Sequence, residues 1–400
     1  VFDFTWEKLP EIRKPFAISV LSADVLGNLI GNGGFEQADQ SGTGPEGWQV
    51  NARTSLWAAP EGPALGLGER LVKFTNSEDY VSIGQTLELR GGQTYLYTAW
   101  LWNRGMHAGS NVYLGMADGT TRSLYDVHVF TAGEGNPYWQ MYTSRIKTPA
   151  NLKTARFAPL GRGAGWALFD NVRVTLFEGT DFAAECHRAP APPRVDGRLD
   201  DWVTRCPIPL VGRNQLTVAD EAYQWSPENI NAVAYLMWDD ANLYVAIQVL
   251  DDVHHAAGRD DSVVEGDSLV LAFEPTNRGP EAEAKAFAYY ISSAVPGGGS
   301  GIHTVYRPEA HSGGLRTGHL FRDSSVYEMA IERAEGGCVY EMRIPLSELG
   351  GIPAVEGGKF GFSVQLNDND GDGPAAHMNW GGGISPAWRP ANFGIVTLVE

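Results

Sequence analysis

The stretch YVSIGQTLELR (80–90), Gly91-Gly92, QTYLYTAWLWN (93–103) decides how this chain is read. Two runs rich in β-branched and aromatic residues flank a glycine pair. Apolar positions recurring every second residue mark strands, and the glycines mark a turn, so the segment predicts two strands joined as a hairpin. Alternation puts Trp100 and Trp102 on one face of the second strand, and Tyr95 and Tyr97 on the other. One face must be core, and periodicity alone leaves open which.

The same pattern extends outward. Short runs at VYLGMA (112–117), LYDVHVF (124–130), ARFAPL (155–160) and ALFDNVRVTLF (167–177) follow without helical spacing between them. A second strand-rich region holds AVAYLMWDDANLYVAIQVLDD (232–252), SLVLAFEP (268–275), CVYEMRIP (338–345) and KFGFSVQLNDND (359–370). Only PLSELG (345–350) reads as a short helix, opened by proline and stopped by glycine. With 48 Gly, 23 Pro and 11% aromatic residues among 400, the fold class is all-β: two β-sandwich, jelly-roll-like domains. The proline-rich APAPPRVDG (189–197) stiffens the expected linker between them. The organisation is thus an extension or edge strand over 1–27, a domain over 28–180, a linker over 181–194 and a domain over 195–400.

The net charge of −18 argues against a phosphate-backbone partner and against anionic membranes, since both need clustered Lys and Arg. No run approaches the ~20 apolar residues of a spanning helix. The chain starts at Val1 without a basic-then-apolar leader, as a mature secreted product or an excised piece would. Cys186 and Cys206 flank the junction and could bridge, or could be buried thiols; Cys338 is left over. No Cys/His zinc spacing is evident. Phe16–Leu21 forms a strand-like run without a nearby partner: an added edge strand, the tail of another domain, or an arm for self-association.

Two resemblances sharpen this reading. The opening NLIGNGGFE (28–36), PEGW (45–48), GGQTYLYTAW (91–100) and the late ALFDNVRV (167–174) resemble jelly-roll carbohydrate-binding modules of the family 4, 16 and 22 group. That resemblance implies first and last strands side by side with a calcium nearby, making Glu36 and Asp170 its candidate ligands. It also implies sugar stacking on aromatic rings, from Trp100, Trp102, Tyr97 and Tyr113, with Arg104 and His107 completing a cleft; Trp48 and Trp139 fall at core positions.

The segments VDGRLDDW (195–202), AYLMWDDANLYVAIQVLDD (234–252), GDSLVLAFEP (266–275), YEMRIPLSELG (340–350), FGFSVQLNDNDGDG (360–373) and ANFGIVTLVE (391–400) are similar to family 9 carbohydrate-binding modules. Sugar-binding members often grip a terminal sugar between a tryptophan and a glutamate six residues on. Here Val264 and Val270 stand at those positions, and neither can stack on a ring or accept a hydroxyl hydrogen bond. Trp380 and Trp388 remain as stacking candidates, and Trp202 and Trp238 match core positions.

Asp368, Asp370 and Asp372 alternate in a glycine-containing turn, the way a short loop wraps calcium. Position twelve of that loop is Asn379 where an EF-hand needs a bidentate Glu, so it is not an EF-hand. Asp251, Asp252, Asp260, Asp261 and Asp267 form a second acidic cluster; the adjacent His254-His255 reads as exposed loop histidines. No nucleophile elbow, P-loop, HExxH or paired-carboxylate frame appears. The expectation is a non-catalytic, secreted or cell-surface, calcium-dependent polysaccharide- or oligosaccharide-binding region of a larger glycan-degrading enzyme. The alternative is a structural cell-surface or fibre subunit with degraded sugar sites.

Overall fold

The computed structural model describes residues 27–50, 55–58, 70–130, 138–204, 206–226, 229–256, 264–279, 282–292, 304–306, 309–311, 314–316, 320–321, 328–334, 336–371 and 375–400. The chain divides into two compact units, Val1–Gly179 and Thr180–Glu400. Both are built of strands, as the alternating pattern requires. The Phe16–Leu21 run, Asp260, Asp261 and Asp372 lie outside the described residues.

The first unit contains β1 (Gln49–Val50), β2 (Ser55–Ala58), β3 (Arg70–Leu87), β4 (Thr94–Arg104), β5 (His107–Met116), β6 (Thr121–Phe130), β7 (Gln140–Lys147) and β8 (Leu152–Leu176). Two long strands, β3 and β8, hold the fold together because each serves both layers. The start of β8 pairs with β5 and with the end of β3, while its latter half pairs with β4 and with the start of β3. The bend between these halves falls at Gly161-Arg162-Gly163-Ala164-Gly165. Gly163 and Gly165 have φ of +103° and +98°, and a Cβ on Gly165 would lie 2.0 Å from the Arg104 carbonyl oxygen, so only glycine fits there.

One core fills the space between the layers. Tyr95, Tyr97, Ala99 and Leu101 of β4 face Val112 and Leu114 of β5 and Phe157 of β8 within it. The rings of Tyr97 and Phe157 meet at 5.1 Å, and the Tyr97 hydroxyl donates to Ser110 Oγ at 2.8 Å. This corrects the hairpin expected over 80–103. β3 and β4 do not pair; β8 lies between them, and Gly91-Gly92 carries the chain from one layer to the other. Alternation looks the same whether two successive strands share a ladder or only a core.

The second unit runs β9 (Ala183–Arg188), β10 (Ile208–Leu210), β11 (Leu216–Ala219), β12 (Ile230–Trp238), β13 (Asn242–Asp251), β14 (Ser268–Glu274), a single α-helical turn α1 (Ala282–Lys285) and β15 (Phe287–Ser292). It continues with β16 (Thr304–Tyr306), β17 (Glu309–His311), β18 (Gly314–Arg316), β19 (Leu320–Phe321), β20 (Glu328–Ala334), β21 (Gly337–Pro345), β22 (Lys359–Asp368), β23 (Ala376–Trp380) and β24 (Gly394–Val399). The main order is β19-β16-β15-β14-β22-β24-β9-β12-β13-β21-β20. One hydrophobic core joins β12, β13 and β21 to β14, β15 and β22.

Several expectations change here. Residues 183–188, expected as linker, form β9, which pairs in parallel with both β12 and β24. The helix expected over 345–350 is a 3-10 turn at Leu346–Glu348, and α1 was not foreseen. All three cysteines are free: Cys186 and Cys338 are buried, and Cys206 is partly exposed.

The geometry of 195–202 has a plain physical cause. Glu341 is fully buried, and its carboxylate accepts the Asp196 N–H at 2.8 Å, the Gly197 N–H, and the Trp202 indole N–H at 2.6 Å. Three donors on one buried carboxylate fix the turn between β9 and β10.

Candidate functional site

The tryptophans of β4 are not sugar platforms. Trp100 and Trp102 point away from the core but are only 3% and 7% exposed, and Trp102 packs against Tyr138, Trp139 and Trp166. Tyr97 is wholly buried in the core. Trp380 is likewise buried, between Phe182 and Phe362. Their candidacy as stacking residues is therefore corrected: a ring with no free face cannot receive a sugar. Trp48, Trp139, Trp202 and Trp238 are buried, as expected of core positions.

Tyr113 is placed differently. It lies on the outer face of β5, opposite Ser123 of β6 and Arg156 of β8. The Tyr125 ring, 66% exposed, stands edge-on to Tyr113 at 6.3 Å. The Arg156 guanidinium lies 5.9 Å over the Tyr113 ring, and Asn111 Nδ2 donates to the Tyr113 hydroxyl at 3.3 Å. Gly84 gives the guanidinium room, since a Cβ there would sit 2.4 Å from Arg156 Cζ. The result is an aromatic surface with guanidinium and amide donors beside it. Sequence reading missed Tyr125 and Arg156, although Tyr125 belongs to a run already read as a strand. Arg104 is exposed, and His107 packs with Tyr80, whose ring Arg162 covers at 5.3 Å.

Glu36 and Asp170 come together as expected from the two ends of the unit. Val172 N–H donates to Gly33 O at 2.9 Å, holding the NGGFE loop against the end of β8. Glu36 accepts the Arg70 N–H at 3.2 Å. Asp170 is 1% exposed; its Oδ1 accepts the Asn171 N–H at 2.7 Å, while Oδ2 has no hydrogen-bond partner, nor do the side-chain atoms of Asn171. Burial, reinforced by the charge of Glu36, holds the Asp170 carboxyl well above the ordinary carboxylate range. Orphaned oxygens beside a second carboxylate fit a hard cation.

In the second unit, the described residues of the two acidic clusters read from the sequence meet. Asp251 ends β13, Asp267 precedes β14 and Asp368 ends β22, so three strand ends deliver their carboxylates to one cleft, which Cys338 and Tyr340 also line. Carboxylate oxygens of Asp251, Asp368 and Asp370 lie within 4.8 Å of one another, as do ligand atoms of Asp251, His254 and Asp267. His254 is nearly buried, with Nδ1 3.1 Å from Asp251 and 3.4 Å from Asp267, which corrects its reading as an exposed loop residue. Asp267 Oδ1 accepts the Asn369 N–H at 2.9 Å, and the Tyr223 hydroxyl donates to Asp368 at 2.5 Å. Burial, with the charge of Asp251 adding to it, pushes the Asp267 carboxyl up to about 8, and burial beside Asp370 raises Asp368 to about 7. Carboxylates so crowded and dry fit a divalent cation with oxygen ligands.

The clamp positions also meet. Val270 is fully buried in an outer cluster with Ala272, Ala288 and Phe393, against which Val264, Tyr290, Ile384 and Trp388 pack. Trp388 is partly exposed and stands edge-on to Phe393 at 5.4 Å. It thus borders the two valines, and the patch offers aliphatic surface where a carboxylate clamp would stand.

The chain thus combines two strand-built units, an aromatic surface beside a guanidinium, and carboxylates clustered at strand ends. The chain belongs to the carbohydrate family 9 binding domain-like family, whose model matches residues 195–400. Among solved structures it is similar to a family 9 carbohydrate-binding module from Caldicellulosiruptor kristjanssonii in complex with cellotriose. That pair shares 22% identity over 55% of this chain and 94% of the other, with a TM-score of 0.39. It is also similar to the CBM22-1 xylan-binding domain of Xyn10C from Paenibacillus barcinonensis, at 9% identity over 36% of this chain and 90% of the other, TM-score 0.28. TmCBM61 in complex with β-1,4-galactotriose aligns at 21% identity over 38% and 99%, TM-score 0.26. No curated protein matches the chain.

Proposed function

We propose that the chain is a non-catalytic carbohydrate-binding region of an extracellular polysaccharide-degrading enzyme, with calcium holding its loops. The observation that carries this reading is the Tyr113, Tyr125 and Arg156 surface, since flat apolar rings flanked by fixed donors suit the apolar faces and hydroxyls of pyranoses. Family membership of the second unit supports it. Affinity electrophoresis on a panel of soluble glycans, with calcium present, tests it. Retardation on at least one glycan is expected; uniform free migration across a broad panel overturns it.

Calcium is assigned to two places. Glu36, Asp170 and Asn171 would hold one ion, and Asp251, Asp267, Asp368 and Asp370 another. A bound ion neutralises the carboxylates and fixes loops that flank the strands; the residues themselves position one another through the Asn369 and Tyr223 hydrogen bonds. The alternative, a structural surface subunit, is favoured by one observation: Val264 and Val270 form part of an apolar patch where the second unit would grip a sugar. Size measurement separates the two, because a structural subunit assembles in solution without glycan.

A further inference from the structure

Outside both cation sites, β9 carries a group of different chemistry. Glu185 and His187 are two apart on β9 and therefore project from one face, while Cys186 between them is fully buried in the core. Cys206, from the segment before β10, meets them there. His187 Nε2 lies 3.2 Å from Glu185 Oε2 and 3.2 Å from Cys206 Sγ, and Sγ lies 3.3 Å from Oε2. Three ligand atoms of three kinds thus form a nearly equilateral triangle. Its corners stand ~1.9 Å from its centre, so zinc at its usual ~2.0–2.3 Å from N, O and S ligands sits slightly off that plane.

Charge agrees with geometry. Glu185 and His187 side chains are only 8% and 17% exposed, so the donor atoms are largely withdrawn from water. One thiolate and one carboxylate balance a divalent ion, with a neutral imidazole as the third ligand. The sulfur and the imidazole select a borderline-soft metal over calcium. We propose that Glu185, His187 and Cys206 form a zinc-class site, with the fourth position left to solvent, which ties β9 to the segment before β10. Forming it deprotonates the thiol: a Cys206 S–M bond replaces the S–H bond, and the proton leaves to buffer.

The test uses the full chain and cobalt(II), then zinc(II), as probes. Cobalt is expected to give a near-ultraviolet thiolate charge-transfer band and intense tetrahedral visible bands, which zinc abolishes. Cys338 lines the carboxylate cleft, so the bands are also recorded in Cys338→Ser, where a surviving thiolate band cannot come from that cleft. The band is expected to vanish in Cys206→Ser and to weaken in His187→Gln and Glu185→Gln. Alkylation read by mass spectrometry needs no variant: zinc is expected to slow labelling at Cys206 by about tenfold or more, because a metal-bound thiolate is a poor nucleophile. Absence of the thiolate band, its persistence in Cys206→Ser, or zinc-independent labelling of Cys206 each overturns the site. Sugar retardation is read separately, so failure here leaves the carbohydrate reading standing.

Discussion

Tyr97 and Tyr125 show how little residue type decides and how much placement does. Both are tyrosines on strands. Tyr97 is fully buried with its hydroxyl on Ser110, and Tyr125 is 66% exposed and edge-on to Tyr113. Tyr97→Phe is expected to cost about 1 kcal/mol, because Ser110 loses its buried partner, and Tyr97→Ala about 3–5 kcal/mol; chemical denaturation measures both. Tyr125→Ala is expected to leave stability within about 0.5 kcal/mol yet remove most retardation on the recognised glycan. A variant that keeps full retardation would move the sugar site elsewhere. Glu341→Ala leaves the Asp196, Gly197 and Trp202 donors without their acceptor, and a loss of about 2–3 kcal/mol is expected on denaturation of the second unit.

At the scale of elements, the long strands carry the most information and the glycines shape them. β8 spans 25 residues and serves both layers only because it bends at Gly163 and Gly165. Gly165→Ala adds a Cβ against the Arg104 carbonyl at a positive φ, so a loss of more than about 1 kcal/mol is expected, with the first unit unfolding earlier on heating. Equal melting of variant and parent would show that the bend tolerates a side chain. The ends of β13 and β22 and the residue before β14 matter as much. Each brings one aspartate, and none is close to the others along the chain.

For the molecule as a whole, the clustered carboxylates couple stability to pH. Asp267 and Asp368 have folded-state pKa values near 8 and 7, above those of an unfolded aspartate. In chelator, the stability they confer as neutral acids is full below pH ~4 and is lost as pH rises through about 7 to 8. Melting in chelator is therefore expected to fall across that interval. The proposed calcium would bind the ionised forms, so the stabilisation expected from it grows with pH, and scans at about pH 5 and pH 8 measure it. Equal calcium effects at both values would detach the ion from these aspartates.

The all-β class was legible in one dimension, because period-2 alternation and glycine punctuation are local properties, and the family 9 likeness was legible through the ordered motifs that resemble that family. Glu36 with Asp170 was legible through resemblance. Partners of strands were not: alternation is identical for a hairpin and for the end of β3 and the start of β4 lying in separate layers. Nor was exposure, which sent Tyr97, Trp100, Trp102 and Trp380 inward and left Tyr113 and Tyr125 outward. The merging of Asp251, Asp267 and Asp368, and the meeting of Glu185, His187 and Cys206, were likewise decided only by folding. Sequence sets which faces a strand can bury, but only the packing of distant strands decides what each face meets.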